Sequence, residues 1–158
     1  MSFKFSLLSA SLLIATGVTS ANANEISFSK SIEKSADTLV LFYGKDSQSD
    51  AFKSINKKSG GQLNKAVESQ SFEGDYGQFL EVLAPHNVTH QRIIIAGLGE
   101  KGELSKEKVT KLGGDIVGKL SAKQIKDISI STDGVGASNH EFAAQLAHGS
   151  SWRSHQFT

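Results

Sequence analysis

The 158-residue chain carries 17 lysines and arginines against 16 aspartates and glutamates, so it offers no phosphate-neutralising surface and nucleic acid is not an expected partner. It has no cysteine, which excludes disulfide staples, thiol nucleophiles and thiolate metal sites. A single proline and 38% apolar content describe one folded domain of ordinary size rather than a linker or a disordered tail.

Residues 1–23 read as a secretory signal peptide. Lys4 precedes the apolar stretch "LLSASLLIATGV", and Ala21-Asn22-Ala23 places small residues where signal peptidase cleaves. The apolar stretch is far short of the ~20 residues needed to span a bilayer. The reading therefore expects a periplasmic or secreted protein with no membrane association once the leader is removed. Loss of Lys4 leaves the mature chain, from Asn24, close to neutral.

"EISFSK" (25–30) alternates apolar and polar residues at the period of a half-buried strand. "DTLVLFYG" (37–44) is a continuous apolar run closing on glycine, the pattern of a central strand covered on both faces. Phe52, Ile55, Leu63 and Val67 fall at helical spacing, and Gly60-Gly61 divides them between two short helices. "QFLEVLAP" (78–85) predicts a strand stopped by Pro85, and "QRIIIAG" (91–97) predicts a buried one. From about Ser105 a helix carries Val109, Leu112, Ile116 and Leu120 on one stripe. Gly113-Gly114 interrupts that stripe, which close contact between helix and sheet would explain. "KDISIST" (126–132) predicts another strand. Ser138 and Glu141 then form a capping box before a helix that buries Phe142 and Leu146. Alternating strands and helices give an α/β architecture, a mostly parallel or mixed sheet with helices on its faces.

The candidate ligand-binding residues are two glycine pairs with one further glycine. Gly97-Leu98-Gly99-Glu100-Lys101-Gly102 fits G-x-G-x-x-G, and Gly134 and Gly136 end the later strand. If the two strands are neighbours, both loops lie on one sheet edge, where α/β folds bind ligands. A dinucleotide fits poorly. Glu100 and Glu103 would repel a pyrophosphate, the helix begins too late to point its N–H groups at one, and Asp133 lies too far along for a ribose. A tight turn at a strand end is the simpler account. His86 and His90 stand four apart but in a turn, where that spacing does not aim both rings at one metal, and both are expected in solvent. No G-x-S-x-G elbow occurs, and the acidic residues are scattered among lysines.

The order of pieces carries a resemblance. "RIIIAGLGEKGELSKEKVTKLGGDIVGKL", the strand "DISIST", the helix "EFAAQLAHG" and the ending "SSWRSHQFT" resemble the N-terminal domain of the leucyl aminopeptidases, the M17 family of metallopeptidases. The family's Leu-Arg-Ser-Tyr-x-Phe segment is altered here, with Trp152 for the leucine and His155 for the tyrosine. The resemblance implies a macro-like open mixed sheet flanked by helices over residues 24–150, with 151–158 beginning a linker toward a catalytic domain. It further implies that the two divalent metals, zinc or manganese, and all catalytic residues belong to that other domain. This chain then supplies no catalytic residue, no metal ligand and no cofactor site. The partners implied are a catalytic M17 domain or subunit and a homo-oligomer, with a role in assembly and in access to the active sites. The alternative is a stand-alone macro-like module binding a nucleotide or other small anion at the glycine loops.

Overall fold

The computed structural model describes residues 25–29, 36–125, 127–133, 135 and 139–154. Along the chain come β1 (Glu25–Ser29), β2 (Thr38–Tyr43), α1 (Asp50–Lys58), α2 (Gln62–Ser69), β3 (Phe79–Leu83), β4 (Arg92–Gly97), α3 (Lys106–Ala122), β5 (Asp127–Ser131) and α4 (Asn139–Ser154). The leader, Gly134, Gly136, Ser138 and Phe157 lie outside the described residues. No helix among the described residues is long and apolar enough to cross a membrane.

The strands form one sheet in the order β1-β5-β2-β4-β3. β1, β5, β2 and β4 run parallel, and β3 is antiparallel to β4 at the edge. The sheet is therefore mixed. β4 and β5 are not neighbours, however: β2 lies between them, and the two strands share only the edge of the sheet at which their carboxyl ends emerge. The connection β4–α3–β5 crosses over β2, as a parallel pairing with an intervening helix requires.

The unbroken apolar run of β2 follows from its central position. Val40 and Phe42 pack with Ile94, Ala96, Ile128 and Ile130 against α3 and α4. Leu39 and Leu41 pack on the other face with Ile93 and Ile95 against α1 and α2. Period-two alternation thus serves two cores at once, so Leu39 to Phe42 are all apolar, and the polar Thr38 falls at the first position of the strand.

The helix ends are satisfied in different ways. Ser49 accepts from Phe52 N–H at 3.2 Å to cap α1. α2 begins at Gly61 with φ 85 and has no side-chain cap of its own. Asn56 of α1 takes that role, its Oδ1 accepting from Asn64 N–H at 3.0 Å.

Gly113 does not meet the sheet, as expected from sequence, but the backbone of α4. A Cβ there would lie 2.1 Å from the Leu146 carbonyl oxygen. The histidine pair also divides: His86 is exposed, whereas His90, in the same loop between β3 and β4, is buried at 2% exposure. The expectation of two histidines in solvent is corrected for His90.

Candidate functional site

A cleft of about 730 Å³ opens at the carboxyl ends of the parallel strands. Its walls come from the loop after β2, the start of α1, the glycine loop after β4, and the first turns of α3 and α4. That is the edge on which open α/β sheets hold ligands. A second cleft, of about 800 Å³, lies at the opposite edge, between the loop after β3 and the end of α3.

Gly97, Gly99 and Gly102 are brought together here as one loop, in which Gly99 has φ 77 and Gly102 φ 93. Gly97 is required by close approach. A Cβ on it would stand 2.0 Å from the carbonyl oxygen of Asp75. The donors of this loop are already engaged: Gly97 N–H bonds Gln78 O at 2.8 Å, Leu98 N–H bonds Tyr43 O at 3.0 Å, and Gly99 N–H bonds Gly74 O at 2.8 Å. Lys45 N–H returns to Gly99 O at 3.1 Å. The glycine loop is a clasp that ties β2, β4 and the 74–78 segment together. Its first three amides have no donor left for a phosphate, so the G-x-G-x-x-G letters mark a turn.

The start of α3 is likewise occupied. Ser105 Oγ accepts from Lys108 N–H at 3.2 Å. The Glu107 carboxyl is held below the usual carboxylate range, first by its own backbone N–H and then by the Ser105 hydroxyl. Carboxylates at a helix N-terminus favour the dipole and discourage an incoming anion.

The rim of the cleft balances its charge. Asp50, Glu100 and Glu141 face Lys53, Lys101 and Lys106, three of each sign. Lys53 Nζ lies 3.5 Å from Asp50 Oδ1, and Lys106 Nζ lies 2.6 Å from Glu141 Oε1. The hydrogen bond to Glu141 raises the Lys106 pKa above its ordinary value. Beneath the rim the surface is apolar, with Leu98, Leu104, Val109 and Phe142 exposing carbon to the cleft. Phe142 is anchored edge-on against Phe42, ring centroids 5.1 Å apart.

Sequence reasoning singled out the glycine loop and missed the α1 and α4 contributions to the cleft. Asp50, Lys53 and Gln145 are unremarkable surface residues until the fold places α1 and α4 on the same edge. Among the described residues, no three of His, Asp or Glu stand together as a metal ion would require, and no metal or metal-dependent step is assigned to them.

An open mixed sheet with helices on both faces, four strands parallel and an antiparallel edge, defines a macrodomain-like α/β fold. The macrodomain of Mycobacterium tuberculosis DarG is similar, with a TM-score of 0.62 over 82% of this chain and 92% of its own at 10% identity. A tomato leucine aminopeptidase mutant is similar over 82% of this chain and 29% of its own, with a TM-score of 0.60 and 20% identity. Residues 39–158 match the model of the cytosol aminopeptidase family, N-terminal domain, and the chain belongs to that family as this domain. The probable cytosol aminopeptidase 1 of Shewanella oneidensis is 33% identical over 138 residues, 87% of this chain and 27% of the relative. The chain thus spans about a quarter of that relative's length.

These relatives correct one expectation. They are named cytosol aminopeptidases, which points to a cytoplasmic location and against the periplasmic or secreted one read from residues 1–23.

Proposed function

We propose that the chain serves as the assembly and regulatory domain of a leucyl aminopeptidase and has no peptidase activity on its own. The match of residues 39–158 to the family's N-terminal domain carries this reading. The partner is a catalytic M17 domain or subunit, which would hold the two divalent metals, and the assembly would be a homo-oligomer of the combined unit. The purified chain should not release p-nitroaniline from leucine p-nitroanilide with zinc or manganese added, and it should co-elute with a separately expressed catalytic domain. Metal-dependent turnover by the chain alone would overturn the reading.

A second reading is a stand-alone module for a nucleotide or other small anion. The position of the cleft at the carboxyl edge of the sheet supports it. The engaged amides of Gly97 and Gly99 and the balanced rim weigh against it. Calorimetry with ADP-ribose separates the two, since silence at millimolar concentration removes the module.

A further inference from the structure

We propose that the cleft at the carboxyl edge of the sheet binds a short peptide with both ends ionised and apolar side chains. This goes beyond the assembly role and does not depend on it.

The argument begins with charge. Three carboxylates and three ammonium groups line the rim, so a ligand of a single sign meets no net attraction. A ligand carrying both signs can be paired at each end. Lys53 and Lys106 would take its carboxylate, and Asp50 or Glu141 its ammonium, each exchanging an exposed internal ion pair for one with the ligand. Those internal pairs are solvent-exposed and therefore weak, so the exchange costs little.

The floor selects the middle of the ligand. Leu98, Leu104, Val109 and Phe142 offer apolar surface, which a hydrated sugar or phosphate would not cover but aliphatic side chains would. Gln145 has its Oε1 engaged by Thr110 Oγ1 at 3.0 Å, which orients its amide and leaves the NH₂ to donate to a carbonyl. Gln48 brings a second amide to the same wall. Amide groups pair with peptide groups without charge. The volume lies within the range of small-ligand sites, roughly 300–1,000 Å³.

Calorimetric titration of the full chain with trileucine, with its N-acetylated and C-amidated form, and with ADP-ribose tests this. Trileucine should bind, and capping both ends should weaken it by roughly tenfold or more. The double variant Lys53→Glu, Lys106→Glu changes only residues at the exposed rim and should keep its melting temperature while losing trileucine binding by a similar factor. No heat with trileucine up to about 5 mM, equal binding of the capped peptide, undiminished binding by the double variant, or preference for ADP-ribose would each overturn the proposal.

Discussion

The carbonyl oxygen of Thr110 lies 1.7 Å from the point where a Cβ on Gly149 would stand. Helices α3 and α4 are therefore in backbone contact, and the same is true at Gly113, opposite Leu146. Ser150 closes the contact, its hydroxyl lying 2.8 Å from Leu146 O and 3.4 Å from Gly113 O. A methyl group at either glycine must push the helices apart, and overpacking of this kind costs roughly 1–3 kcal/mol or more. Because the obstructing atoms are backbone carbonyls, Gly149→Ala and Gly113→Ala should each lower the free energy of urea unfolding by the top of that range, about 3 kcal/mol or more. Gly60→Ala, where nothing lies within 4 Å, should cost only the left-handed backbone penalty of roughly 1–2 kcal/mol. Equal effects at Gly60 and Gly149 would contradict the close approach.

That contact also shows where the sequence stops being legible. The strands and helices were readable because each local pattern states its own burial: the run Leu39–Phe42 is apolar throughout since helices cover both faces. The glycines were readable as turns or interruptions, but not for their partners. Gly97 answers to Asp75, and Gly113 to Leu146, residues brought near only by the fold. His90 looked like a solvent residue because a polar residue in a loop between two strands carries no local signal of burial, yet it is 2% exposed. The cleft was half legible. Its glycine loop has a motif, whereas α1 and α4 contribute ordinary polar residues whose shared edge depends on strand order.

Gly97→Ala tests the clasp. Its Cβ would displace the Asp75 carbonyl, and with it the bond from Gly99 N–H to Gly74 O. Exchange of the Gly99 amide with solvent deuterium should accelerate by roughly tenfold, which corresponds to about 1.4 kcal/mol of local opening. Gly102→Ala faces open space at φ 93 and should leave that amide unchanged. If both variants left Gly99 equally protected, the loop would not be held by the 74–78 segment.

Ser105 is predicted to set both the start of α3 and the acidity of Glu107. Ser105→Ala removes the acceptor for Lys108 N–H and should cost about 1 kcal/mol, while Ser105→Asp should restore most of it. The Glu107 carboxyl, held low chiefly by its own backbone N–H and secondarily by Ser105, should rise partway toward its ordinary value in the alanine variant. A carbon-detected NMR titration of Glu107 would show this. An unmoved titration curve would mean that the serine hydroxyl does not reach the carboxylate.

Glu81 links acid stability to the opposite edge of the molecule. Its carboxylate pairs with Lys123 and lies 2.7 Å from Arg92 Nε, joining the edge strand β3 to β4 and to the end of α3. The hydrogen bond from Lys123 is the largest influence and holds the Glu81 pKa below its usual 4.5, against a smaller opposing effect of burial. A carboxyl with a lower pKa in the folded state stabilises the fold above the unfolded pKa, and that contribution is lost as pH falls through the folded pKa. All three side chains retain solvent contact, so the network is worth about 1 kcal/mol rather than the value of a buried pair. Glu81→Gln should therefore be less stable than the parent chain by about that amount at pH 7, and the gap should narrow in urea unfolding as pH falls below the usual carboxylate value of 4.5. A gap that stayed constant down to pH 3 would assign the role of Glu81 to its shape and packing, not to its charge.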